Sequence, residues 1–240
     1  MQKVYFQMGR QKYLIVVAAG KGVRMGGDLP KQYVQLDGKA ILHRTIERFV
    51  EACPDLKVLT VINPDWVPYW KEYCYSHSMV VRQRFVQGGI TRFHSVRNAV
   101  QTIPEGASVA VHDGVRPFVS KTLIRRLFDL AEEHPAVVPV MPCTDTLKKL
   151  GKEDGKLVSL HEDVDRSLLY GAQTPQIFHS EVLRKAYCQP FDQLLTDDAS
   201  VVERSGVDIC YVDGEKLNFK ITTPEDMKMA SALLAAGLVQ

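Results

Sequence analysis

Apolar positions in this chain follow two patterns. Short continuous runs rich in β-branched residues lie at 14–18, 57–62, 79–86, 108–111 and 136–141, each bounded by glycine, proline or charge. Such runs suit strands buried on both faces. Between them, apolar residues recur at helical spacing. Ile41, Leu42, Thr45, Ile46 and Phe49 share one face of a helix predicted over 40–50. Leu123, Leu127 and Leu130 do the same over 120–131. Further helices are predicted over 66–75, 180–188 and 197–204, and from Thr91 onward with Val96, Ala99, Val100 and Ile103 turned inward. Thr223, Pro224, Glu225 and Asp226 make a strong start for a last helix: cap, N1 proline, acidic first turn. Late strands are predicted at 208–212 and 217–221. Strands alternating with helices, without an internal repeat, predict the α/β class. The expected form is a single Rossmann-like, mostly parallel sheet flanked by helices.

The periodicity breaks after the run at 136–141. Two short alternating runs, 147–150 and 157–160, flank a glycine- and charge-rich turn. A hairpin of this size has no core of its own, so a β-arm over about 142–170 is expected to project and pack elsewhere. A plain surface hairpin with solvated charges fits the composition as well. Residues 1–12 are set apart as an N-terminal extension of the domain at 13–240.

Composition narrows the function. The chain has 240 residues, 45% hydrophobic and 24% charged, which suits one globular α/β domain. A formal net charge of +2 gives no reason to expect nucleic acid or an anionic membrane as partner. No apolar run approaches the length of a membrane span. Five scattered cysteines without a CxxC pair suit a reducing cytoplasm. Seven histidines lie equally scattered, and no protein-built zinc centre is expected.

Candidate chemistry gathers at the predicted strand ends. The first strand opens into Ala18, Ala19, Gly20, Gly22, Gly26 and Gly27, with Arg24 inside the loop and Lys31 beyond it. Glycines bring backbone N–H groups close to a ligand, and the two cations add fixed positive charge. The loop is neither GxxxxGK[ST] nor a good GxGxxG, and its basic residues favour a nucleoside triphosphate over a dinucleotide. Gly88 and Gly89 close the third strand, and Arg92 and Ser95 lie one helical turn apart behind them, facing the same crevice. A simple strand–turn–helix join explains that segment equally well. Asp113 and Arg116 follow the fourth run. They make either a mutual ion pair or ligand contacts, Asp113 to Mg²⁺ and Arg116 to a phosphate. His112 reads as a structural histidine. Lys220 stands just before the turn at Pro224, where a solvated charge is unremarkable.

The string AAGKGVRMGGDLPKQY resembles the signature of nucleotidyltransferases that activate sugar or polyol phosphates, and its Pro30–Tyr33 ending resembles the cytidylyltransferase branch. Within that branch the chain is most similar, over nearly everything after residue 12, to the 2-C-methyl-D-erythritol 4-phosphate cytidylyltransferase family. The resemblance extends to Gly88–Gly89 with Arg92 and Ser95, to His112–Asp113 with Arg116–Pro117, to Thr196–Ser200 and to Asn218–Lys220. It implies CTP and a polyol phosphate as substrates, with Mg²⁺. Arg24, Lys31 and Lys220 would be catalytic. Ala18, Ala19, Gly20, Gly22, Gly89, Arg92 and Ser95 would bind the nucleotide. Asp113, Arg116, Thr146 and Arg166 would bind the acceptor, with Thr146 and Arg166 reaching the neighbour's pocket across a homodimer. Where the family pattern has an acidic residue after the glycines and two alanines after the aspartate, this chain has Ile90, Gly114 and Val115. A ribitol 5-phosphate cytidylyltransferase, a uridylyl- or guanylyltransferase, and a non-catalytic nucleotide-binding module stand as alternatives.

Overall fold

The structure, a computed structural model, describes residues 9–20 and 29–239. The chain runs through β1 (Gln11–Val17), β2 (Gln35–Leu36), β3 (Lys39–Ala40), α1 (Ile41–Ala52), β4 (Lys57–Ile62), α2 (Val67–Ser76) and β5 (Gln83–Gln87). It continues through α3 (Arg92–Val100), β6 (Ala107–Asp113), α4 (Lys121–Leu130), β7 (Ala136–Pro142), β8 (Leu150–Glu153) and β9 (Lys156–Ser159). It ends with β10 (Tyr170–Ala172), β11 (Gln176–His179), α5 (Ser180–Ala186), α6 (Asp198–Arg204), β12 (Cys210–Asp213) and α7 (Pro224–Ala235).

The main sheet has the order β10-β7-β11-β6-β1-β4-β5, with β12 also paired to β7. Its β6-β1-β4-β5 part is parallel, and β11 inserts antiparallel between β6 and β7. This is the expected mostly parallel, Rossmann-like α/β fold. Alternate side chains of each central strand serve opposite layers. Leu14 and Val16 of β1 meet α1, α2 and α4 through Leu42, Phe49, Trp70 and Leu127. Tyr13 and Ile15 meet α3, α5 and α6 through Val96, Leu183 and Val202. A continuous apolar strand is thus the consequence of helices on both faces. A smaller cluster seats α7 through Ala230 against Ile41, Phe118 and Ile221.

Helix starts follow the local chemistry. The side chains of Thr91, Ser120, Asp197 and Thr223 each accept an N–H from the first turn of α3, α4, α6 and α7. Asp197 with Ser200, and Thr223 with Asp226, form complete capping boxes.

Several predicted strands differ in extent or existence. The run at 79–86 pairs only from Gln83, and β5 extends to Gln87. In the arm, the first strand is not 147–150 but Leu150–Glu153, paired with Lys156–Ser159. Asp154 (φ 49°) and Gly155 (φ 77°) set that register, because a two-residue turn with both φ positive matches the twist of a hairpin. Residues 217–221 form no strand. Fully buried Asn218 donates through its side chain to the Thr174 carbonyl (2.8 Å), and Ile221 N–H donates to the Val115 carbonyl (2.9 Å). The segment is pinned by single bonds rather than by a ladder. The arm hairpin forms its own two-stranded sheet and leaves Leu157 68% and Leu168 77% exposed.

Candidate active site

The carboxyl ends of β1, β4, β5 and β6 open on one cleft of about 1070 Å³. The chain order reverses beside β1, with β4 on one side and β6 on the other, and open α/β sheets bind ligands at such a reversal. Ala18, Ala19 and Gly20 from β1, Gly88, Gly89, Arg92 and Ser95 from the β5–α3 join, Asp113 from β6, Lys31 and Lys220 all line it. Arg24 and Gly22 lie outside the described residues.

Close backbone approach explains the glycines. Gly88 N–H donates to the Ile62 carbonyl (2.9 Å), which carries β5 over the end of β4. A Cβ at Gly88 would lie 2.3 Å from Ala19 Cβ, and one at Gly89 would lie 2.4 Å from His94 Cβ. Gly89 N–H donates to Ser95 Oγ (3.0 Å), and Ser95 Oγ–H donates to the Thr91 carbonyl (2.9 Å). Ser95 therefore holds the glycine turn against the first turn of α3. Gly114 N–H donates to the Val17 carbonyl, and a Cβ there would lie 3.0 Å from Leu42 Cδ1, so this chain packs a bare backbone at that point.

The charged residues converge on Asp113. Lys220 Nζ lies 2.9 Å from Oδ2, Arg92 Nε lies 3.3 Å from Oδ1 and Arg116 Nε lies 3.7 Å from Oδ2. Burial raises the Asp113 pKa, but Arg92, Lys220 and Arg116 more than offset it and hold the carboxyl well below the usual range. Arg92 reaches further, with its NH2 nitrogen 2.7 Å from Oδ2 of fully buried Asp198. Burial disfavours its charge, yet Asp198 and Asp113 raise its pKa well above the ordinary value. Arg116 turns away from the cleft to donate to the Asn218 carbonyl (2.7 Å), and it does not line the cavity. Here burial outweighs Asp113, so its pKa is lowered. The expected Asp113–Arg116 pair is therefore one part of a larger cluster.

His112 is structural, as expected. Its Nε2 bonds the Arg116 carbonyl (3.0 Å) and its Nδ1 bonds Thr174 Oγ1 (2.9 Å), which also accepts Asp113 N–H (3.2 Å). Burial lowers its pKa to about 4, so it holds Asp113 and Arg116 in place as a neutral ring.

Thr146 and Arg166 lie on the arm and do not line the cleft of their own chain. Arg166 donates to the Thr144 carbonyl (2.9 Å). Other residues at the site carry no periodic signal in the sequence. Gln32 Nε2 donates to the carbonyls of Ala18 (2.7 Å) and Gly20 (3.0 Å) and braces the base of the glycine loop. Asn63 and Asn98 line the cleft, and Asp198 and Tyr187 stand behind it. Gln32 and Asp198 lie in segments that carry the family resemblance, Pro30–Tyr33 and Thr196–Ser200, whereas Asn98 and Tyr187 gave no such clue.

Comparison with known proteins gives a consistent result. Residues 13–236 match the family model for 2-C-methyl-D-erythritol 4-phosphate cytidylyltransferase. The chain is 44% identical over 221 residues to the 2-C-methyl-D-erythritol 4-phosphate cytidylyltransferase of Bacteroides thetaiotaomicron, covering 92% of this chain and 98% of the relative. It is 43% identical over 231 residues to that of Porphyromonas gingivalis, covering 95% of this chain and 100% of the relative. Its fold is similar to the crystal structure of the Francisella tularensis enzyme of the same name, with TM-score 0.74 and 31% identity, covering 92% of this chain and 99% of that one.

Proposed function

The chain belongs to the 2-C-methyl-D-erythritol 4-phosphate cytidylyltransferase family, and from that premise we propose how its cleft works. The enzyme transfers the cytidylyl group of CTP to 2-C-methyl-D-erythritol 4-phosphate, forming 4-diphosphocytidyl-2-C-methyl-D-erythritol. An oxygen of the acceptor phosphate attacks the α-phosphorus of CTP in line, and pyrophosphate leaves. The nucleophile is already an anion, so no general base is needed. The barrier lies in bringing two anions together and in the charge on the α-phosphoryl group, which positioning and cations address.

The single observation that carries this reading is that Lys31, Lys220 and the two glycine joins line one cleft at the end of a parallel sheet. Lys31 and Arg24 act on the triphosphate and the leaving group. Lys220 stabilises the α-phosphoryl oxygens. The backbones of Ala18, Ala19 and Gly20 approach the phosphates, and Gly22 is assigned to nucleotide binding with them. Gly89 and Ser95 seat the base, and Arg92 sets the floor beneath it. Asp113 marks the acceptor's side of the cleft, and Arg116, turned away from the cavity, stands behind it.

Thr146 and Arg166 complete the acceptor pocket of a second subunit. Support comes from the arm, whose exposed Leu157, Leu168 and Tyr170 are apolar surface suited to cover by a second copy. No described helix is long and apolar enough to cross a membrane, and all five cysteines are free, which suits the cytoplasm.

Mg²⁺ is the cofactor that the resemblance implies. Among the described residues lining the cleft, Asp113 is the sole carboxylate, and it already faces Arg92, Arg116 and Lys220. Among the described residues there is no cluster of His, Cys, Asp or Glu suited to a metal ion. The protein side of the cleft thus does not fit a Mg²⁺ cage, and the assignment of Asp113 as a ligand is not supported.

The test is pyrophosphate release from CTP with either 2-C-methyl-D-erythritol 4-phosphate or D-ribitol 5-phosphate. Release with the first and not the second is expected. Release with ribitol phosphate alone would overturn the acceptor assignment.

A further inference from the structure

The cleft's cations are backed by a chain of buried polar contacts that runs away from the substrates. Tyr187 Oη donates to Asp198 Oδ1 (2.5 Å). Asp198 Oδ2 accepts the NH2 group of Arg92 (2.7 Å), Arg92 Nε donates to Asp113 Oδ1 (3.3 Å), and Asp113 Oδ2 meets Lys220 Nζ (2.9 Å). Tyr187 is 3% exposed and Asp198 is fully buried. Neither lines the cleft.

A fully buried carboxylate is costly unless its charge is used. Asp198 spends its charge on Arg92, and the distances show how. Arg92 is close to Asp198 and looser on Asp113. With Asp198 present, Arg92 is drawn back, and Asp113 keeps enough negative charge to hold Lys220 at the cleft. Without it, the Arg92 guanidinium has one carboxylate left and closes on Asp113. Lys220 would then lose part of its anchor. Burial, followed by Asp198, raises the Tyr187 pKa well above its ordinary value, so the phenol stays a proton donor to Asp198.

We infer that Asp198 and Tyr187 are positioning residues for cytidylyl transfer, acting through Arg92 and Asp113 to set Lys220 against the phosphate that reacts. The inference rests on the reading of Lys220 as the cation at the α-phosphoryl group. It gives the N-terminus of α6 a role beyond capping. Asp197 supplies the cap, while Asp198 beside it points into the core and supplies a charge.

The experiment measures kcat and the KM for CTP in Asp198→Asn, Tyr187→Phe and Lys220→Ala, singly and with each of the first two combined with the third. Lys220→Ala should lower kcat by about 10²–10³. Asp198→Asn should lower kcat at least about 10-fold while the KM for CTP moves less than about 3-fold, since the lost interaction serves the transition state. Tyr187→Phe, which removes one oxygen at nearly constant volume, should lower kcat about 3- to 10-fold. In the Lys220→Ala background both effects should shrink to less than about 2-fold, because residues that act as a unit are not additive.

A purely structural role predicts the opposite, with each effect multiplying that of Lys220→Ala in full, and that outcome overturns the inference. Wild-type turnover in Asp198→Asn beside a crippled Lys220→Ala overturns it alone and leaves the reading of Lys220 standing. Near-wild-type turnover in Lys220→Ala overturns both. Should Asp198→Asn fail to fold, Tyr187→Phe decides by the same coupling.

Discussion

Lys220 Nζ rests 2.9 Å from Asp113 Oδ2, joining the segment before the last helix to the carboxyl end of β6. Asp113 is the counter-ion that keeps cations assembled in a cleft built for anions. Replacing it with asparagine leaves Arg92, Arg116 and Lys220 facing one another. Breaking a buried pair on one side costs about 3–5 kcal/mol, and the partial exposure of Lys220 argues for the lower end. Urea unfolding of Asp113→Asn should show a loss of about 3 kcal/mol. Saturating CTP should then raise the midpoint more in the variant than in the wild type, because phosphates replace the missing charge. An equal rise in both proteins would contradict the counter-ion role.

His112 makes the fold sensitive to acid. Its folded pKa is lowered from 6.5 to about 4 by burial, so the unfolded chain takes up a proton first as pH falls. Its contribution is fully present above 6.5 and is lost on the way down to 4. The full loss is about 3 kcal/mol. His112→Gln keeps polar atoms at the site but does not titrate. The difference in unfolding free energy between wild type and variant should therefore shrink between pH 7.5 and pH 4.5. A difference independent of pH would remove His112 from the account.

The glycine join tolerates no side chain. A Cβ at Gly89 would press on His94 Cβ at 2.4 Å and on the His94 carbonyl carbon at 2.8 Å, and backbone cannot yield cheaply. Overpacking of this kind costs about 1–3 kcal/mol. Gly89→Ala should bind CTP at least about 10-fold more weakly by calorimetry, at 1.4 kcal/mol per decade, while the melting temperature falls by only a few degrees. Unchanged CTP affinity would show that this turn does not touch the nucleotide.

Shared sites can be tested by mixing. Lys31 lines the cleft of its own chain, whereas Arg166 sits on the arm. Lys31→Ala and Arg166→Ala subunits should each be nearly inactive alone, by about 10²–10³ in kcat. After subunit exchange, the mixture should regain up to about a quarter of wild-type activity, since one of the two sites in a heterodimer escapes both lesions and statistical exchange makes about half the dimers mixed. Demonstrated exchange without recovery would place Arg166 outside the neighbour's site.

Much of this molecule was legible in its sequence because the signals were local. The caps at Thr91, Ser120, Asp197 and Thr223 are hydrogen bonds within four residues of chain, and a reader sees both ends. The apolar runs at β1, β4 and β6 announce burial on both faces, and that alone requires helices above and below. Alternation was a less secure clue: it found the arm strand near 157–160 but misled at 217–221. Leu217, Phe219 and Ile221 alternate like a strand, but Asn218 is claimed by Thr174 and the ladder never forms.

By itself, then, the sequence determined the layers, the helix starts and the glycine joins at the strand ends, since each depends on neighbours a few residues apart. Tertiary structure alone decided which charge meets which. Arg92 could be placed at a crevice from its position after Gly89, but not between Asp113 and Asp198, and Arg116 could not be seen to turn toward the Asn218 carbonyl. Those pairings are fixed by the sheet, which brings the ends of β5 and β6, the start of α6 and the approach to α7 to one rim. Coulomb energy depends on distance through space and on burial, and neither is written in the spacing along a chain.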